Sequence, residues 1–161
     1  MIEATADVTV PVGPEEAYAA LSDLRHADWL PGVKGLRHIG GPVQGLAARY
    51  EVEAGLVGRH LRGVLVCTEA LPPERMVMTL EEGLDLVITA TVRGVSGGCR
   101  VDLSARYSVG NGLAGLAMER ASAGPARREV CRAVEQFAAQ FGRKAPPVAE
   151  RARRSRARAR R

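Results

Sequence analysis

Aromatic side chains are scarce in this sequence: one Trp, three Tyr and two Phe make up 4% of its residues. The core therefore has to be assembled from Val, Leu, Ala and Met. No aromatic residue lies between positions 142 and 161, so the C-terminus has no base-stacking platform. Cysteine is rare too. Cys67, Cys99 and Cys131 are odd in number and far apart, unlike a disulfide framework or a zinc motif, and they read as reduced thiols of a cytoplasmic protein. His26, His38 and His60 are equally scattered, so no metal and no cofactor is expected. No apolar run approaches the ~18 residues needed to span a bilayer. The opening Met1-Ile2-Glu3-Ala4 lacks the basic and apolar regions of a secretion signal. A Gly-x-Ser-x-Gly elbow and a phosphate-cradling glycine loop are missing as well, and no catalytic residue is assigned.

The net charge of +5 is unevenly placed. Residues 151–161 contain seven arginines and no acid. Without them, 16 basic residues face 18 acidic ones, a net of −2. The basic character thus belongs to a tail, expected to be disordered over 144–161, and the length of the rest fits one domain over 1–143. Arg151, Arg153, Arg154, Arg156, Arg158, Arg160 and Arg161 have three readings: inert, binding phosphates of nucleic acid or ribosome, or touching an acidic surface such as anionic lipid.

What the chain does have is periodicity. Residues 2–10 alternate Ile2, Ala4, Ala6, Val8, Val10 against Glu3, Thr5, Asp7, Thr9, the mark of a half-buried strand. Pro14-Glu15-Glu16 opens a helix. A second short helical piece is expected from Ser22-Asp23 to Trp29, ending before Pro31. Six strands follow, over about 33–39, 47–54, 60–71, 76–82, 84–95 and 101–109. Their tight Gly and Pro turns imply antiparallel hairpins. After Gly112 the period becomes helical. Val130, Val134, Phe137, Ala138 and Phe141 form one apolar stripe, with Arg127, Arg128, Glu129, Arg132 and Glu135 mostly on the other side. Gly124-Pro125 is expected to kink or break this helix.

The sum is an α+β domain: a curved seven-stranded antiparallel sheet, two short helices after its first strand, and a long C-terminal helix lying on the apolar face. One helix does not cover seven strands. A cavity between sheet and helix is the expected result.

Three further stretches carry a resemblance. They are Val8-Thr9-Val10-Pro11-Val12-Gly13-Pro14-Glu15-Glu16-Ala17-Tyr18, then Leu21-Ser22-Asp23 with Asp28-Trp29-Leu30-Pro31-Gly32-Val33, and the hairpin Leu71-Pro72-Pro73-Glu74-Arg75. With a C-terminal helix reaching Phe137-Ala138-Ala139-Gln140-Phe141, the chain over about 2–142 resembles the helix-grip proteins of the SRPBCC superfamily, its START-like and polyketide cyclase/dehydrase groups. The resemblance implies an apolar cavity for a lipid, polyketide or quinone-like molecule, and places Trp29 near the cavity mouth.

Strand parity turns Leu61, Leu65, Cys67, Met76, Met78, Leu80, Leu86, Ile88, Ala90, Val101, Leu103, Ala105 and Tyr107 toward the helix. The ligand-facing set expected from this parity and from the helix stripe is Trp29, Tyr50, Leu65, Met76, Met78, Leu86, Ile88, Leu103, Tyr107, Val130 and Val134. Taken singly, each reads first as plain core, and a pocket is a property of the set. Trp29 either meets ligand or anchors its segment. The hydroxyls of Tyr50 and Tyr107 need partners, which a ligand, a backbone carbonyl or water could supply. His60 and Arg62 share a face opposite Leu61 and read as a solvated cluster, as does Arg106. The function expected is binding of an apolar small molecule. The alternatives are a polyketide aromatase/cyclase and a module that uses the Arg tail on ribosome or nucleic acid.

Overall fold

A computed structural model describes residues 1–56, 59–82, 84–108 and 112–142. The arginines of the tail, Arg151 to Arg161, lie outside the described residues. The chain runs β1 (Ile2–Val10), α1 (Pro14–Ser22), a 3-10 turn (Leu24–His26), β2 (Val33–Gly40), β3 (Arg49–Leu56), β4 (Arg59–Leu71), β5 (Arg75–Glu81), β6 (Asp85–Val95), β7 (Gly98–Ser108) and α2 (Gly112–Gly142). The seven strands form one sheet in the order β1-β7-β6-β5-β4-β3-β2, every neighbouring pair antiparallel. Six consecutive strands thus form a meander, and β1 adds to its last strand.

The register puts the apolar positions in rows. Ala4, Ala105, Ile88, Met78 and Cys67 lie side by side across five strands, and so do Ala6, Leu103, Ala90 and Met76 across four. Because successive side chains alternate between faces, aligned odd-even patterns produce one continuous apolar face. α2 lies over that face along β1 and β7, burying Ala126, Val130, Ala133, Val134 and Phe137. α1 packs at β6 and β7, and Tyr18 donates its hydroxyl to the Arg75 carbonyl at 3.2 Å.

Three details depart from the expectations. The piece after α1 is a single 3-10 turn, not a helix to Trp29. Asp23 accepts the Arg25 N–H at 3.2 Å and holds the Arg25 guanidinium at 2.9 and 2.8 Å, which closes the turn locally. β3 begins at Arg49 and not at 47, because Ala47 takes a left-handed backbone with φ 68°.

The third departure is Pro125, which does not break α2. A proline inside a helix removes one N–H bond and crowds the residue before it. Here that residue is Gly124, which has no Cβ to crowd. Three residues earlier, the Tyr107 hydroxyl donates to the Ser122 carbonyl at 3.2 Å and ties this part of the helix to the sheet.

Candidate functional site

Where the middle of α2 faces the sheet, the two do not meet. A partly open cavity of about 110 Å³ lies between them. Leu65, Leu80, Leu86, Ile88 and Leu103 supply its sheet wall, with Val52, Leu61 and Tyr107 beside them. Small residues make room: Ala54, Gly55 and Ala105 on the strands, Ala126 and Ala133 on the helix. Fully apolar cavities of about 150 Å³ stay dry and take a benzene-sized guest, so this one suits a single ring or the end of a chain.

Leu30, Pro31 and Val33 complete the lining from the segment that leads into β2. Gly32 carries the turn there at φ +72°, and its carbonyl accepts the Gly55 N–H at 2.8 Å. A Cβ on Gly32 would stand 2.3 Å from the Gly55 carbonyl oxygen, so the turn can sit this close to β3 only as glycine. This part of the lining segment is thereby pinned to the sheet.

Of the residues expected to face ligand, the structure brings six together on the cavity wall: Leu65, Leu86, Ile88, Leu103, Tyr107 and Val130. Met76, Met78 and Val134 are buried but outside the lining. Trp29 is 7% exposed, meets the Phe137 ring edge-on at 5.2 Å, and keeps its Nε1 buried with no hydrogen-bond partner. It stands in the packed interior and not on the cavity wall. Tyr50 is fully buried, and its hydroxyl donates to the Val43 carbonyl at 2.6 Å. The Tyr107 hydroxyl is engaged by Ser122, whose carbonyl lies at 3.2 Å and whose Oγ lies at 3.1 Å. Both phenols are therefore engaged by the protein itself.

Glu129 is the residue that the sequence pattern misplaced. Its charge put it with the polar side of α2, yet it lines the cavity with Ala126, Val130 and Ala133. These four stand at i, i+3, i+4 and i+7, one face of a helix. Its Oε2 is buried and has no hydrogen-bond partner. Among the described residues it is the only charged side chain in the wall.

The other reactive groups lie elsewhere or are muted. His60 is exposed and stands 3.3 Å from Glu53, with Arg62 also beside that carboxylate, and Arg106 is exposed. All three cysteines are free, and burial pushes the Cys67 and Cys99 thiols up, away from the nucleophilic thiolate. Burial also raises Tyr50, keeping its phenol neutral. Among the described residues, no three His, Cys, Asp or Glu side chains could share a metal ion, and no helix is long and apolar enough to cross a membrane. The wall can sequester and orient an apolar molecule. Among the described residues, its one charged group is the Glu129 carboxylate.

The fold has many relatives among solved structures. TTHA0849 from Thermus thermophilus superposes with a TM-score of 0.75 at 19% identity, over 89% of this chain and 99% of that one. A START superfamily protein from Mycobacterium smegmatis gives 0.68 at 12% identity, over 86% and 97%. The di-domain ARO/CYC BexL from the BE-7585A biosynthetic pathway gives 0.65 at 21% identity, over 90% of this chain but 48% of that one, so this chain spans about half of it. No curated protein matches by sequence. The family model "Polyketide cyclase / dehydrase and lipid transport" matches residues 1–142, the whole of the described fold, and the chain belongs to that family within the SRPBCC superfamily.

Proposed function

We propose that this protein binds one apolar small molecule, of the lipid, polyketide or quinone kind, in the cavity between the sheet and α2. The observation that carries this reading is the wall itself. Aliphatic side chains line it, and the phenol of Tyr107 is already bonded to Ser122. Enclosing apolar surface is favourable at roughly 25 cal/mol per Å² removed from water. Such a wall therefore holds an apolar guest without help from hydrogen bonds. Native mass spectrometry of the protein from its own host, followed by organic extraction, tests this. One apolar adduct per chain is expected. A uniformly bare chain that also fails to bind added ethylbenzene overturns it.

A second reading is ring closure on a polyketide chain. The family description favours it, as does the likeness to half of a di-domain ARO/CYC protein. Cyclisation needs groups that polarise carbonyls and move protons. Among the described residues, Glu129 is the one charged group on the wall, and the Tyr107 hydroxyl is taken by Ser122, which makes sequestration the better-supported reading. Turnover of a poly-β-ketone mimic to an aromatic product by the wild type, and not by Glu129→Gln, would reverse that order.

A further inference from the structure

We infer that Glu129 is the polar anchor of the cavity, and that its ligand is an apolar ring or chain ending in a hydrogen-bond donor, an alcohol, phenol or amine, and not in a carboxylate or phosphate. This rests on the cavity reading above and narrows its substrate class.

The argument starts from cost. A buried polar atom without a partner loses the full desolvation penalty of that atom, more so when it is charged. Glu129 Oε2 is such an atom, in a wall where Leu, Ile, Val and Ala offer it nothing. Its position is built. Glu129 shares a helix face with Ala126, Val130 and Ala133, and those three set it against the void. The pinned Gly32 turn stands beside it: a Cβ built there would lie 3.8 Å from Oε2, in ordinary contact. The carboxylate is thus held between the Gly32 turn and the apolar wall. An ionised carboxylate only accepts. It pairs a guest that brings an O–H or N–H, and it repels an anionic headgroup placed beside it. A long carbon chain with a carboxylate end, which the rest of the wall would admit, is turned away by this one residue. An amphiphile with a donor at one end enters tail first and leaves its donor at Glu129.

Calorimetry with a matched set of probes tests this: ethylbenzene, 4-ethylphenol, 4-ethylbenzylamine and 4-ethylbenzoate, on the full chain and on Glu129→Gln and Glu129→Leu. In the wild type, the phenol and the amine bind about tenfold or more tighter than ethylbenzene, as hydrogen bonds to charged groups imply, and ethylbenzoate binds weakest. In Glu129→Leu that preference disappears while ethylbenzene keeps its affinity. In Glu129→Gln, which keeps the shape if the leucine variant does not fold, ethylbenzoate gains. A gain confined to the amine identifies a cationic ligand, whereas a gain shared with the phenol identifies a neutral donor. Equal affinities in the wild type, or a preference that survives Glu129→Leu, overturn the anchor and leave the cavity reading standing. Failure of all four probes overturns the anchor, and together with a bare chain in the mass spectrum it overturns both.

Discussion

Two adjacent stretches of α2 face the same sheet with opposite results. From Ala126 to Ala133 the helix lines a void. From Val134 to Phe141 it is packed, with Phe137 1% exposed between the edge-on rings of Trp29 and Phe141, each 5.2 Å away. Both stretches turn an apolar face inward, at Ala126, Val130 and Ala133 in one and at Val134 and Phe137 in the other. What differs is side-chain volume. Three of the chain's six aromatic residues are spent on the packed stretch. Ala54, Gly55, Ala105, Ala126 and Ala133 are gathered at the open one. A scarcity of aromatics need not spread looseness through a core; here it concentrates space in one place.

The comparison breaks most visibly at Phe137. Replacing it with alanine is expected to cost about 3–5 kcal/mol, because its neighbours are rings and a pinned helix that cannot collapse onto the gap. Urea unfolding would measure it. A loss below about 1 kcal/mol would mean that the packed stretch is no better filled than the open one. Next in size comes Ala133→Leu. In a well-packed core the added carbons would cost about 1–3 kcal/mol. In the open stretch they have somewhere to go, so the unfolding midpoint should hold while 4-ethylphenol binds at least about tenfold more weakly. A destabilised variant with intact binding would place the void elsewhere.

Much of this was legible in the sequence, and the illegible part has a common cause. The alternation Ile2, Ala4, Ala6, Val8, Val10 fixed one strand to the residue, since a two-residue period has one strand reading and Pro11 stops it. The same parity put Leu65, Leu86, Ile88, Leu103 and Tyr107 on the face toward the helix, where they stand. It could not separate them from Met76 and Met78, which share rows with Ile88 and Ala90. Whether a position meets a void depends on the sizes of residues on other elements, and no local period carries that. Trp29 shows the limit. Its neighbours Leu30 and Pro31 reach the cavity while its own ring turns to Phe137, a pairing across more than a hundred residues of chain. Glu129 was missed for the opposite reason. Its spacing to Ala126, Val130 and Ala133 was readable, but its charge argued for solvent. A carboxylate at an apolar helical spacing is the signal that would have found it, and it is the departure from local consistency expected where a protein binds something.

The finest test lies one helical turn wide. Val130 lines the cavity and Val134 does not, yet both are buried, at 7% and 4% exposure, on the same face of the same helix. Cutting either to alanine removes the same two carbons, worth about 0.8 kcal/mol each in transfer alone. At Val134 the missing carbons leave a new hole among packed neighbours, and the cavity term adds to the transfer term. At Val130 the wall already borders space, so few contacts are lost and the existing void merely widens. Val134→Ala should therefore be the more costly of the pair by about 1 kcal/mol, read as the difference between two urea midpoints at constant slope. Because length, charge and helix propensity change identically, that difference isolates packing. Equal losses would mean that the empty space beside Val130 is closed in solution, and with it the difference between the two stretches of the helix.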